Sequence, residues 1–282
     1  IRNTLRDFSL ANNYSYYNIK EHKGWLRNVI IRKSTTGELM VNLVFGHEDE
    51  KEREKICNHL LDKVPSVTTL LYTINSKCND TIYDLEPKTV AGKGFIIERL
   101  ENFSFKISPK SFFQTNTRQA ERLYNVVKNF AALQGNEIIY DLYCGTGSIG
   151  IFLSNSAKAI VGVDVVEDAI NDAKENAAIN NINHAAFFWG DVIEICNNEF
   201  FKLHGRPDVI IVDPPRAGLH AKLVSKLIEI DPEKIVYVSC NVATQARDLH
   251  LLSENFSIEK LQPVDMFPHT HHIECVALLK RK

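Results

Sequence analysis

From residue 138 onwards, short apolar runs alternate with helical patterns. Residues 138–142, 159–165, 185–189, 209–212 and 235–238 are strand-like, and 167–180 and 220–230 carry helical spacing. Strands joined by helical crossovers return the chain to the same end of one sheet, so they run parallel and have both faces covered. The alternation therefore predicts a doubly wound α/β sheet. Two final runs, 256–263 and 273–279, lie too close together for a helical crossover and are expected to pair antiparallel, giving seven strands with an antiparallel last strand at one edge. Asn116 is placed to cap a helix over 117–133 that opens this region.

Before residue 115 the pattern differs. Residues 28–33 and 39–45 read as strands joined by the turn Ser34-Thr35-Thr36-Gly37, and 48–64 is charged with Ile56, Leu60, Leu61 and Val64 at helical spacing. Further strands are expected at 67–74, 94–100 and 103–107. The expected division is a smaller α+β domain over 1–115 and the doubly wound domain over 116–282. Because the first residue is Ile1 rather than Met, the smaller domain is expected to be truncated at its N-terminus.

A chain of 282 residues that is 44% hydrophobic can bury cores for two domains. No run approaches the about 18 apolar residues of a membrane span, and Ile1-Arg2-Asn3-Thr4 does not begin a secretory leader, so a cytoplasmic protein is expected. The six cysteines form no CxxC pair and no cluster with histidine at metal-ligand spacing, so neither zinc nor an iron–sulfur cluster is expected within this chain. Neither a membrane nor an obligate protein partner is expected. Net charge −2 means that any nucleic acid must be met by local patches. Lys106, Lys110, Arg118 and Arg122 are candidates, and a solvated helix face is the alternative, most of all for Arg122.

The run Asp141-Leu142-Tyr143-Cys144-Gly145-Thr146-Gly147-Ser148-Ile149-Gly150 follows the first strand of the alternating region and opens a helix. Its glycines match GxGxxG and allow close backbone approach to a nucleoside-bearing ligand, and Asp164 ends the next strand, where a carboxylate can accept from both ribose hydroxyls. This pattern permits a nicotinamide dinucleotide. Asp141 argues instead for S-adenosylmethionine, since a carboxylate there repels a pyrophosphate and attracts a cationic amino acid end. Asp191 is placed to meet an adenine amino group or to serve as a plain N-cap.

Asp213-Pro214-Pro215-Arg216 ends the fourth strand, and its prolines stiffen the chain so that Asp213 faces the crevice; an ordinary turn is the alternative. Cys240 ends the neighbouring strand before a helix starting near Val242, whose N-terminus is expected to lower the thiol's pKa. Glu274 lies within an apolar strand, where desolvation should raise its pKa and suit it to proton transfer. Cys144, Cys196 and Cys275 read as small buried hydrophobes. His269, His271 and His272 crowd before Glu274 without an evident ligand set, which favours a substrate-facing or structural role.

Together with Ser108-Pro109-Lys110-Ser111-Phe112-Phe113-Gln114-Thr115-Asn116, these motifs resemble in order those of the S-adenosylmethionine-dependent RNA uracil-5-methyltransferases, from about Ile107 to the C-terminus. The resemblance implies a Rossmann-like methyltransferase domain. It implies Cys240 as nucleophile, Glu274 as base, and Gln114, Tyr143, Gly145, Asp164, Asp191 and Asp213 at the cofactor site. It also implies an RNA partner, met in part by the smaller domain, with Phe112 or Phe113 stacking on a base or packing in the core. Asp265-Met266-Phe267-Pro268-His269-Thr270 resembles the ribosomal RNA members more closely, so 23S ribosomal RNA is the expected substrate and transfer RNA the alternative. Three rival readings stay open: a dinucleotide-dependent oxidoreductase, an amine-directed methyltransferase that needs no thiol, and a non-catalytic RNA-binding module.

Overall fold

The computed structural model describes all residues 1–282. It divides into two compact units: Ile1–Arg99 with Lys106–Lys110, and Leu100–Phe105 with Ser111–Lys282.

In the first unit, α1 (Arg2–Ala11) precedes β1 (Leu26–Lys33), β2 (Leu39–Phe45), α2 (Glu50–Lys63), β3 (Thr69–Ile74) and β4 (Lys88–Ala91). The strands form one sheet in that order. β1 and β2 pair antiparallel, as a tight turn requires, whereas α2 carries the chain over so that β2 and β3 run parallel. The Asp49 side chain caps α2 by accepting from Glu52 N, and Glu50 and Glu52 in the first turn with Lys63 in the last complement the helix dipole. The core gathers Trp25, stacked on Phe45, with Ile56, Leu60 and Leu70. β5 (Ile96–Leu100) and β6 (Phe103–Ile107) form a two-stranded ribbon along which the chain passes between the units.

The second unit continues with α3 (Thr117–Ala131), β7 (Ile138–Leu142), α4 (Ser148–Leu153), β8 (Ala159–Asp164), α5 (Glu167–Ile179), β9 (Ala185–Trp189), α6 (Val192–Ile195), α7 (Asn198–His204), β10 (Val209–Val212), α8 (Ala221–Ile230), β11 (Lys234–Ser239), α9 (Val242–Leu252), β12 (Phe256–Val264) and β13 (Glu274–Arg281). As expected, Asn116 caps α3, accepting from Gln119 N. The seven strands lie in the order β12-β13-β11-β10-β7-β8-β9. The order turns at β7, which pairs parallel with both β8 and β10, and the carboxyl ends of these strands open onto the crevice where such sheets bind ligands. β13 is the antiparallel strand, but it lies one place in from the edge, between β11 and β12. The edge itself is β12, bulged between Ile258 and Lys260 and carrying Glu259, Lys260 and Pro263, features that discourage pairing with another chain. At the end of β9, Trp189 stands 59% exposed, its Nε1 donating to Val165 O. No helix is long and apolar enough to cross a membrane.

Candidate active site

Beyond β7 the chain turns sharply, with Tyr143 (φ 64°), Gly145 (φ 53°) and Gly147 (φ 76°) in the left-handed region. For Tyr143 this costs about 1–3 kcal/mol, which the surrounding bonds must offset. Tyr143 N and Cys144 N both donate to Val163 O (2.9 and 3.2 Å), and Gly147 N donates to Cys144 O (2.8 Å). Gly145 N donates to Asp164 Oδ2 (2.9 Å) and Gly150 N to Asp141 Oδ2 (2.8 Å). A Cβ on Gly150 would sit 3.1 Å from that same Asp141 oxygen and 3.0 Å from Ile160, so this glycine serves packing rather than ligand approach. A pyrophosphate needs free loop amides. The amides of Tyr143, Cys144, Gly145, Gly147 and Gly150 are engaged within the protein, which narrows the room for a pyrophosphate in this turn.

Tyr143, Asp164, Val165 and Asp191 line a recess of about 440 Å³ together with His220 and Leu223. The second oxygen of Asp164 accepts from Val166 N (2.9 Å). Asp191 caps α6 by accepting from Ile193 N (2.8 Å), as in the N-cap reading, and also lines the recess.

Tyr143 and Gly145 also line an adjacent cavity of about 500 Å³, together with Gln114, Asp213, Cys240 and Glu274. Strand register explains how residues so distant in sequence meet. Val212 pairs with Leu142 on one side and Tyr237 on the other, so Asp213 emerges at the sheet's carboxyl edge. Ser239 pairs with Cys275 in the antiparallel ladder, so Cys240, one residue on, and Glu274, one residue back, leave their strands side by side. Asn241 then caps α9, accepting from Ala243 N and Thr244 N.

The cavity is acid-rich. Burial, reinforced by the charges of Glu274 and Asp141, pushes the Asp213 carboxyl up to about 8. Burial likewise pushes Asp141 up to about 7, against the lowering effect of its bond from Gly150 N. Glu274 is raised by burial, as expected from its apolar strand, with Arg216 pulling the other way. The Cys240 thiol departs from expectation. Its pKa is raised, chiefly by burial and then by the nearby Glu274 and Asp213 carboxylates, which outweigh Arg216 and the local backbone bond. Proximity to the α9 N-terminus thus loses to desolvation and like charge.

Several lining residues carried no assigned role in the sequence. Arg216, though inside the Asp-Pro-Pro motif, is the cation beside Cys240 and Glu274, and its guanidinium meets His272 Nδ1 at 3.3 Å. Tyr124 and Ser148 share a 2.8 Å hydrogen bond at the cavity wall, and Phe267 also lines it. The spacing of Tyr124 on α3 announces only a core residue; tertiary packing alone reveals its second face. The two adjacent phenylalanines separate: Phe113 packs on Phe105, and Phe112 stands 70% exposed at the cavity. Lys106 and Lys110 belong to the first unit, Arg118 and Arg122 to α3 of the second.

The fit to S-adenosylmethionine rests on the orphaned Asp141 Oδ1, a buried acceptor with no partner, beside a cavity whose acids outnumber its one arginine. Such a site favours a ligand with an ammonium and a sulfonium.

Residues 29–282 match the family model described as tRNA (Uracil-5-)-methyltransferase. An uncharacterized RNA methyltransferase of Bacteroides thetaiotaomicron is 49% identical over 99% of this chain and 62% of its own length. One of Porphyromonas gingivalis is 45% identical, over 100% of this chain and 61% of its own length. This chain therefore spans about three-fifths of the curated relatives it matches. The crystal structure of Pyrococcus abyssi tRNA (uracil-54, C5)-methyltransferase in complex with S-adenosyl-L-homocysteine superposes with a TM-score of 0.81 at 36% identity, covering 98% of this chain and 65% of that one. With nine-tenths of its length matched and relatives this similar, the chain belongs to the tRNA (uracil-5-)-methyltransferase family.

Proposed function

We propose that this protein methylates carbon 5 of a uridine in RNA, with Cys240 as nucleophile and Glu274 as base. The observation that carries the reading is the β11–β13 register, which brings these two residues to one cavity beside the Tyr143–Gly145 turn. Gln114, Tyr143, Gly145, Asp164, Asp191 and Asp213 would hold S-adenosylmethionine, which supplies the electrophilic methyl group. The complex of the Pyrococcus abyssi relative with S-adenosyl-L-homocysteine supports this assignment.

Carbon 5 of uracil is a weak nucleophile. Addition of the Cys240 thiolate to carbon 6 forms an S–C6 bond and moves the ring electrons into an enolate, which makes carbon 5 able to accept a methyl group. The Glu274 carboxylate then takes the proton left on carbon 5. The resulting electron pair reforms the ring double bond as the S–C6 bond breaks, returning the thiolate. In the ligand-free cavity both groups are biased towards their protonated forms, and positive charge brought in beside them favours the ionised forms the reaction needs. Asp213 and Gln114 orient the ring or the donor, and the exposed Phe112 is positioned to stack on an unpaired base.

Ribosomal RNA is the substrate favoured by Asp265-Met266-Phe267-Pro268-His269-Thr270. Transfer RNA is the second reading, supported by the family description and the Pyrococcus relative. The test is intact mass of Glu274→Gln after incubation with S-adenosylmethionine and either RNA, with nuclease trimming. A nucleotide adduct carrying one methyl group, absent from the Glu274→Gln/Cys240→Ala double variant, is expected, and the RNA that yields it identifies the substrate. Methylation by Cys240→Ala at the unmodified protein's rate would point instead to an exocyclic amine.

A further inference from the structure

Helix α9 begins directly after the Cys240 turn, and its first two turns grip three separate pieces of chain. Asn241 Nδ2 donates to Arg216 O (3.1 Å), and the Thr244 hydroxyl divides its proton between Arg216 O (3.2 Å) and Asn241 O (3.1 Å). Arg247 Nη2 donates to Ala217 O (3.0 Å) and Leu219 O (3.2 Å), and its guanidinium is itself held by Asp248 Oδ1 (2.7 Å). Asp248, fully buried, uses its other oxygen to accept from Leu219 N and from the Tyr237 hydroxyl, both at 2.7 Å. Gln245, also buried, donates from Nε2 to Tyr237 O and Cys275 O, both at 3.0 Å. The fit is close: Gly218 has φ 77°, and a Cβ there would fall 2.6 Å from Asp248 Oδ2.

These contacts fall on the segment after Asp213, on the strand before Cys240 and on the residue after Glu274. Asp213, Cys240 and Glu274 are thus each one to six residues from an α9 contact. We propose that Thr244, Gln245, Arg247 and Asp248 are positioning residues, which hold Arg216, Cys240 and Glu274 in one fixed arrangement by tying their three chain segments to α9. The inference deepens the reading of Cys240 as nucleophile and rests on it.

The groups facing Cys240 are Asp213 and Arg216 from the segment after β10 and Glu274 from β13, with Tyr124 and Tyr143 on the remaining cavity walls and His272 against Arg216. Loss of the Thr244 bond leaves the Arg216 carbonyl held by Asn241 Nδ2 alone, and the loosened guanidinium, the one cation that favours the ionised thiol, shifts from it. Thr244→Val, close in shape, removes the hydroxyl, and Thr244→Ser restores it. The pH midpoint of Cys240 alkylation by iodoacetamide, followed by peptide mass, is expected to rise by about half a unit in Thr244→Val. Its kcat is expected to fall about tenfold with the donor KM nearly unchanged, because misplacement acts on the reacting geometry. Thr244→Ser should recover both. Arg247→Gln, at an exposed side chain, provides the same measurement if Thr244→Val does not fold. An unchanged midpoint and kcat would overturn the proposal, as would equal losses in the Val and Ser variants. Alkylation needs neither RNA nor methyl donor, so a shifted midpoint without methylation of any RNA would retain the clamp and discard the uracil reading.

Discussion

The two acid sets of the second unit contrast in what they bond. Asp164 and Asp191 spend carboxylate oxygens on backbone amides, of Gly145, Val166 and Ile193, and so build the turn and helix they line. Asp141 keeps one oxygen unpartnered, and Asp213 and Glu274 experience burial and neighbouring charge with no hydrogen bond favouring their ionised forms. The first set is a frame complete by itself; the second stores unfavourable electrostatics that a cation relieves. The same residue type therefore does opposite work a few ångströms of sheet edge apart.

Glu274→Gln probes the second set most severely. Turnover should fall about 10²–10⁴-fold, while calorimetric affinity for S-adenosylhomocysteine stays nearly constant; equal collapse of both would erase the distinction between frame and reactive acids. Next in size is the pH dependence of the ligand-free protein. Carboxyls raised in the fold bind protons more tightly folded than unfolded, so their contribution is fully present below the ordinary carboxylate pKa of about 4 and is lost as pH rises through the folded values. For Asp141 at about 7 and Asp213 at about 8, stability should drop by several kcal/mol between about pH 4 and 8 and level off above. Urea unfolding across this range checks it, and Asp213→Asn should flatten the decline.

On the frame side, Asp164→Ala leaves two backbone donors without their acceptor and should cost about 1–2 kcal/mol in urea unfolding. A negligible cost would remove Asp164 from the frame. The smallest effect is expected of Asp191→Ala, which removes an N-cap worth about 1 kcal/mol. Its loss of adenosine affinity, read by competition with S-adenosylhomocysteine, should exceed its loss of stability if the residue also meets ligand.

The parallel sheet was legible because β7, β9 and β10 are apolar runs cut off by polar or glycine-bearing turns, a pattern with one reading at that length. α1 was not, since Ile1 offers no capping side chain and few of its residues are buried. β4 is four largely exposed residues whose strand character comes from pairing with β3. In the site, Cys240, Glu274 and Asp213 could be read because each sits where its local element disfavours it without a purpose. Arg216, Tyr124 and Ser148 suit their local surroundings, and only the meeting of α3, α4 and the segment after β10 gives them a place at the cavity. The Cys240 thiol misled for a related reason. A helix N-terminus is visible in sequence, but the carboxylates that oppose it arrive from other strands.

The chain has two tryptophans, and they fall one to each compact unit. Trp25 is stacked on Phe45 inside the first core, and Trp189 lies open to solvent beside Val165, which lines the recess of Asp164 and Asp191. Nature has in effect given each unit a separate fluorophore, one shielded from aqueous quenchers and one accessible to them, so unfolding of the first and occupancy of the second can be followed in the same cuvette without a label.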